Sequence, residues 1–211
     1  MSLFLIAEVG INHNGDLELA KNMIKAAHDA GFDAVKFQKR TIENVYTKEY
    51  LDGDRESPWG VTQREQKEGL EFSEDEYGEI DKYCKELGIE WFASAWDVDS
   101  QKFLRKFDLK YNKVASPMLG HKPLLKEIAS EGKKTFVSTG MATLEEIDEV
   151  VDLFRKANCP FELMYCVKIF VGSLYWLGQL SKQNQQKPFL LFGLVLIAMK
   201  YWMWPNNLAL V

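Results

Sequence analysis

Apolar and polar positions alternate in blocks along most of the chain, and the blocks define its elements. Leu3–Ala7 is a short apolar run with one carboxylate, Glu8, at its end, and residues 3–9 read as a strand. From 17 to 30 the apolar positions Leu17, Leu19, Ala20, Met23, Ile24 and Ala27 fall near a helical repeat, with Asp16 placed to cap the start and Gly31 to end it. Ala34–Gln38 is a second strand. Residues 39–73 carry only weak periodicity and contain Gly53, Pro58 and Gly60; a connection of that length is usually functional, an excursion over a site. Ser73 with Glu76 forms a capping-box pattern that opens a helix to about Leu87. Ile89–Ser94 reads as a third strand, Val98 to Lys106 as a helix, and Tyr111–Ser116 as a fourth strand. A helix follows from Pro123 to Glu131, ended by Gly132. Lys134–Ser138 is a fifth strand. Thr143 with Glu146 opens a helix to about Ala157, and Pro160–Cys166 is a sixth strand.

This βα alternation with short strands implies a parallel sheet. Six such units predict a (β/α)8 barrel interrupted after its sixth strand, since a complete barrel takes about 250 residues and this chain has 211. A doubly wound open sheet is the structural alternative, but no GxGxxG follows any strand.

Composition changes this picture at one place. All 31 acidic residues precede residue 168, whereas residues 168–211 hold four lysines, no Arg, no His and three of the six tryptophans. The reading therefore divides the chain into a barrel portion, 1–167, and an atypical apolar tail, 168–211. Phe189–Met199 is an uninterrupted apolar run of eleven residues, short of the roughly 20 a spanning helix needs, so no membrane span is expected. Divergent seventh and eighth strands would need helix-period patterns and acidic caps, which the tail lacks. The abrupt loss of acidic residues favours a tail foreign to the barrel, as an out-of-frame translation would be.

The net charge of −5 argues against nucleic-acid binding. Cys84, Cys159 and Cys166 form no CxxC pair or metal-ligand spacing and fit packed thiols in a reducing cytoplasm. The N-terminal apolar run is too short for a signal peptide.

Chemistry gathers at the strand ends, where α/β proteins bind ligands. The first strand ends near Glu8, and the second carries Lys36 and Gln38. The third ends in Ser94 with Asp97 just beyond. The fourth carries Lys113 and ends at Ser116, and the fifth ends in Ser138 and Thr139. Lysines supply point charge and hydroxyls supply directed donors, so the set suits an anion with phosphate and carboxylate groups. Singly, each also has a plain use: Ser and Thr cap helices, and a strand lysine can snorkel. His13 fits a ligand, a base or a structural loop residue equally; His121 fits a helix start.

The blocks Ala7-Glu-Val-Gly-Ile-Asn-His-Asn-Gly-Asp16, Val35-Lys-Phe-Gln38, Phe92-Ala-Ser-Ala-Trp-Asp97, Lys113-Val-Ala-Ser116, Val137-Ser-Thr-Gly-Met141 and Leu163-Met-Tyr-Cys166 resemble, in order and spacing, the motifs of the sialic acid synthase family. That resemblance implies a (β/α)8 barrel condensing phosphoenolpyruvate with an N-acetylated amino sugar, of the N-acetylmannosamine type, to a nonulosonic acid, with Mn²⁺ or Mg²⁺ assisting. By position, Glu8 resembles the acidic residue that contacts the sugar. Lys36, Ser94, Lys113, Ser116 and Ser138 resemble the phosphoenolpyruvate ligands. Ser94-Ala-Trp-Asp97 departs from the commoner Thr-Pro-Phe-Asp, which puts pocket shape in doubt. The blocks that carry the family's two metal-binding histidines and its C-terminal antifreeze-like domain have no counterpart after Cys166, so metal ligands are expected to be missing, activity impaired and a family-type dimer disfavoured. Two alternatives stand beside this reading: a lyase-type aldolase using Lys36 or Lys113 as a Schiff base, and a non-catalytic fragment.

Overall fold

The computed structural model describes residues 4–165 and the backbone of residues 196–197. In chain order the elements are β1 (Leu5–Gly10), α1 (Leu17–Asp29), β2 (Ala34–Lys39), α2 (Ile42–Val45), α3 (Lys48–Leu51), β3 (Asp54–Ser57), β4 (Gly60–Thr62), α4 (Gln63–Glu68), α5 (Glu74–Leu87), β5 (Glu90–Ala95), α6 (Val98–Leu104), β6 (Tyr111–Val114), α7 (Lys122–Ala129), β7 (Lys134–Ser138), α8 (Leu144–Lys156), β8 (Phe161–Met164) and β9 (Leu196–Ile197).

Strands β1, β2, β5, β6, β7 and β8 lie side by side in that order, every neighbouring pair parallel. A doubly wound sheet reverses direction at a switch point. Here the order never reverses, so the sheet is a curled part of a (β/α)8 barrel. The outer edge of β1 pairs with β9, antiparallel, at Leu5–Ile197 and Ile6–Leu196. A barrel neighbour would be parallel. Among the described residues no helix is long and apolar enough to cross a membrane.

Helices α1, α5, α7 and α8 show why the periodicity was readable. α1 buries Ala20, Ile24 and Ala27, while α8 buries Val150, Val151 and Phe154. Their starts are the ones the caps predict: the Asp16 carboxylate accepts from Leu19 N, and full capping boxes form at Ser73–Glu76 and Thr143–Glu146. His121 caps α7, its Nδ1 accepting from Leu124 N at 3.1 Å.

Three boundaries differ from the sequence pattern. The fourth strand stops at Val114, and Ser116 instead opens a 3₁₀ turn over Ser116–Met118; Pro117 has no N–H to extend the ladder. The sixth strand is Phe161–Met164, and Cys166 lies outside the described residues. The weakly periodic stretch 39–73 is not structureless: it holds α2, α3, the β3–β4 hairpin and α4. Elements of three to six residues are too short to establish a period.

One pleat inward from the strand ends, Phe4, Phe92, Tyr111 and Phe136 interlock, with centroids 5.1–5.9 Å apart. Phe92, Tyr111 and Phe136 each precede a polar rim residue by two positions: Ser94, Lys113 and Ser138. The period of two therefore puts aromatic and polar layers on the same sheet face. The aromatic layer is the floor on which the polar residues stand.

Candidate functional site

The register of the parallel ladders assembles the strand-end residues. Glu8 pairs with Lys36 across β1–β2, Gln38 with Ser94 across β2–β5, and Ser94 with Lys113 across β5–β6. Ser138 is two residues beyond Phe136, the β7 partner of Lys113. Residues in register on neighbouring strands point to the same face, so one row of polar side chains crosses five strands.

Within that row the lysines are buried cations with oxygen partners. Lys36 Nζ stands 2.9 Å from Glu8 Oε1 and donates to Ser94 Oγ at 3.0 Å and to Phe37 O at 3.4 Å. Lys113 Nζ donates to Ser138 Oγ at 2.5 Å and to Val114 O at 2.7 Å. Lys36, Ser94, Lys113 and Ser138 are all at most 5% exposed. Burying an ammonium without partners is costly, so each of these oxygens offsets part of that cost.

Glu8 is held less completely. Its Oε1 is close enough to Lys36 for an ion pair, yet no donor is aligned on it. The oxygen lies 3.0 Å from the place a Cβ on Gly10 would take, and Gln38 Nε2 lies 3.7 Å from the same place. Gly10 has φ +55 and sits at a bulge, where the register passes from Glu8↔Lys36 to Gly10↔Phe37. Bulges of this kind re-aim side chains beside active sites.

The other expected residues are placed differently. Asp97 is committed elsewhere: its carboxylate accepts from Thr41 N at 2.7 Å, Ser100 N at 2.8 Å and Ser100 Oγ at 2.5 Å. It caps α6 and fastens the start of the excursion. Burial is the strongest single influence on it and pushes its pKa up. The bonds from Ser100 and Thr41 together outweigh burial and hold the carboxyl below its usual range. Thr139 Oγ1 donates to Met164 O at 3.2 Å, tying the β7 loop to β8. Ser116, half-buried, opens the 3₁₀ turn after β6, at the same end of the sheet as the row.

His13 is buried in the structure and stacks on Phe72 with centroids 4.0 Å apart. Burial, reinforced by the charge of Arg40, lowers its pKa to about 4. The ring is therefore neutral at ordinary pH and has no free face for a ligand. Among the described residues no group of three or more His, Cys, Asp or Glu side chains gathers to hold a metal ion. The residues present do not fit the divalent ion the resemblance implies, and no chemical step is derived through it.

Two supports were not visible in the sequence. Tyr77, fully buried on α5, donates its hydroxyl to Gln38 O at 2.9 Å and fixes the end of β2. Arg40 bonds Glu71 through Nε at 2.7 Å and Tyr46 through Nη1 at 3.0 Å, anchoring the far end of the excursion. Tyr77–Gln38 and Arg40–Glu71 join residues 39 and 31 positions apart, which no local pattern reveals. A groove of about 570 Å³ between α7 and α8 is walled by none of the polar row.

Residues 23–173 match the NeuB family model. The chain belongs to the NeuB family. It is 38% identical over 172 residues to N-acetylneuraminate-9-phosphate synthase of Drosophila melanogaster, covering 80% of this chain and 46% of that protein. It is 36% identical over 160 residues to N,N'-diacetyllegionaminic acid synthase of Legionella pneumophila, covering 74% of this chain and 44% of that one. The solved N-acetylneuraminic acid synthetase of Leptospira borgpetersenii, in complex with citrate, superposes with a TM-score of 0.70 at 30% identity over 80% of this chain and 55% of that one. This NeuB-family chain thus spans about half the length of the relatives it matches.

Proposed function

We propose that this chain carries the phosphoenolpyruvate-binding part of a synthase that condenses phosphoenolpyruvate with an N-acetylated amino sugar of the N-acetylmannosamine type. The observation that carries the reading is the pair of buried lysine–serine contacts, Lys36–Ser94 and Lys113–Ser138, joined by the in-register neighbours Ser94 and Lys113. Two ammonium groups and two hydroxyls on adjacent strands match a small ligand with a phosphate at one end and a carboxylate at the other. Glu8, with a carboxylate oxygen that has no aligned donor, is the acceptor for a sugar hydroxyl. In such a condensation the enol carbon attacks the sugar aldehyde, water adds at the phosphate-bearing carbon and phosphate leaves. Fixed donors already in place for the developing charge lower the barrier without reorganising.

The partners of Lys36 are all acceptors, one of them a carboxylate. Lys113, the other candidate, likewise donates to oxygens, Ser138 Oγ and Val114 O; this run of oxygen acceptors on both lysines favours the anion-binding reading over the aldolase one. Residues 168–211 contain no carboxylate or imidazole, and the described residues gather no metal site. Substrate binding is the property assigned to this chain. Cys84 and Cys159 are buried free thiols, in keeping with a cytoplasmic setting. The test is phosphoenolpyruvate binding by titration calorimetry, with phosphate release from phosphoenolpyruvate, N-acetylmannosamine and Mn²⁺ measured alongside. No binding by the chain, or binding indifferent to Lys36→Met and Ser138→Ala, overturns the reading.

A further inference from the structure

We propose that Trp96 sets specificity for the sugar, its indole N–H donating to the acetamido oxygen of the N-acetylated substrate. The identity of the sugar rests on the functional reading above; the placement of the donor does not. Trp96 lies between the last residue of β5 and Asp97, the cap of α6. The ladder with β2 runs on through it. Glu90 N bonds Asp33 O at the start of β5, and Trp96 N bonds Lys39 O at its end, at 3.0 Å. Both bonds join residues with the same separation in sequence, so the register does not slip between them. Phe92, Ser94 and Trp96 therefore share the inner face of the sheet. Phe92 belongs to the aromatic floor and Ser94 to the polar row. Trp96 stands one period farther out, about 7 Å along the strand.

The residue is held from both sides. Its backbone N–H is in the ladder, and the carboxylate of the next residue, Asp97, accepts from Thr41 N and Ser100 N. The donor is thus in position before a ligand arrives, which lowers the ordering cost of binding.

Its side chain differs from the other described tryptophans. Trp91 stacks on Tyr77 and donates Nε1 to Asp81 Oδ1 at 3.0 Å. The ring of Trp59 packs against Gly69. Trp96 Nε1 is buried and has no hydrogen-bond partner. Among the described residues Glu8 Oε1, Arg40 Nη2 and Asn112 Nδ2 share that condition. Each of those three belongs to a side chain with a charged or hydrogen-bonded neighbour: Lys36 for Glu8, Glu71 and Tyr46 for Arg40, Gln101 for Asn112. The N–H is the whole polar inventory of an indole, so the Trp96 side chain is left with no polar contact. A buried donor without a partner is costly, and an acceptor carried in by a ligand recovers that cost.

The anionic groups of phosphoenolpyruvate are met one layer inward, by Lys36 and Lys113. The acceptor for Trp96 therefore comes from the second substrate. A sugar hydroxyl is a donor as well as an acceptor and needs a further partner for its proton. The amide oxygen of an N-acetyl group only accepts, and so matches a lone N–H. Phenylalanine, which stands at this place in the commoner Thr-Pro-Phe-Asp form of the block, offers no such donor. A site built to hydrogen-bond one substrate group discriminates against analogues that lack it.

The test uses the full chain with ¹⁵N-labelled indoles, the Trp96 signal being assigned by its loss in Trp96→Phe. In saturating phosphoenolpyruvate, N-acetylmannosamine is expected to move the Trp96 N–H proton downfield. Mannose, with a hydroxyl in place of the acetamido group, is expected to leave it unmoved. By titration calorimetry Trp96→Phe should weaken N-acetylmannosamine binding about five- to tenfold, the worth of one neutral hydrogen bond, and keep phosphoenolpyruvate affinity within about twofold. The ligand-free chain makes no bond through Nε1, so the substitution removes none from it, and a general loss of structure would weaken both ligands together.

An unmoved Trp96 signal with N-acetylmannosamine bound, an equal response to mannose, or equal losses of both affinities overturns the proposal and leaves the phosphoenolpyruvate reading standing. So does a wild-type chain that binds phosphoenolpyruvate and no N-acetylmannosamine. A wild-type chain that does not bind phosphoenolpyruvate overturns the functional reading, and the sugar assigned to Trp96 with it. Should Trp96→Phe fail to fold, β-(3-benzothienyl)alanine at position 96 keeps the shape of the indole without its N–H, and the same outcomes decide.

Discussion

Glu8 and Lys36 face each other in register across β1 and β2, with Lys36 Nζ 2.9 Å from Glu8 Oε1. The pair is partly sealed, the Glu8 side chain keeping 15% of its exposure and Lys36 6%. Lys36→Met removes the cation and leaves the carboxylate behind. The expected cost is about 2–3 kcal/mol, below that of a fully sealed pair because Glu8 retains some solvent. The double substitution Glu8→Gln with Lys36→Met should be less destabilised than Lys36→Met alone. Denaturant melts of the three variants check this. A double variant no more stable than Lys36→Met would show that the pair is not coupled.

Ser138 and Ser94 are each a single hydroxyl on a buried ammonium. Either alanine substitution removes one charge-assisted hydrogen bond, about 1.5–3 kcal/mol. Phosphoenolpyruvate affinity should fall by about tenfold or more, since 1.4 kcal/mol is tenfold. The expectation is that Ser138→Ala and Ser94→Ala weaken binding to similar degrees while Thr139→Ala, whose hydroxyl is spent on Met164 O, leaves it within about twofold. Titration calorimetry on the three variants reads the ranking directly.

Most of the parallel architecture was legible because each layer leaves its own period. Val150, Val151 and Phe154 mark one helix face, and Lys113 and Ser138 mark strand ends above Tyr111 and Phe136. The rim cluster was legible for the same reason: alternate strand positions must share a face. What was hidden depends on contacts the chain makes with distant parts of itself. Asp97 reads as a rim carboxylate, but its partner Thr41 is 56 positions away, so the bond that fastens the excursion to it could not be read from the sequence. His13 reads as a possible base until Phe72 is stacked on it. The excursion between β2 and α5 was opaque because its pieces are shorter than any period they could display.

Gly15, Gly69 and Trp59 dock the excursion on the β1 loop. A Cβ on Gly69 would lie 2.2 Å from the Trp59 ring, and one on Gly15 would lie 2.1 Å from Gly69 O. Gly15 also has φ +69, which an L side chain adopts only at a cost. Gly15→Ala meets backbone that cannot yield and should be destabilised by more than about 2 kcal/mol. Gly31→Ala shares a positive φ but meets nothing within 4 Å, so it should cost only the backbone term, about 1 kcal/mol. Equal losses in the two would mean that the close approach carries no energy.

The last prediction concerns acid. Burial first, and Arg40 second, hold the His13 pKa down to about 4 from its usual 6.5. Between those values the unfolded chain binds a proton that the folded chain refuses. Stability must therefore fall as the pH is lowered from about 6.5 to about 4, by up to about 3 kcal/mol, and this contribution is flat on either side of the window. Asp97 adds a separate loss at lower pH. Its carboxyl titrates below the usual carboxylate range in the folded chain, so its stabilisation is complete above the unfolded value and disappears as the pH falls through the folded one. Two acid phases are thus expected in denaturant melts, one above about pH 4 and one below. His13→Gln should abolish the upper phase and leave the lower, and Asp97→Asn should do the reverse. A wild-type chain equally stable at pH 7 and pH 4.5 would mean that His13 is not held neutral by its burial against Phe72.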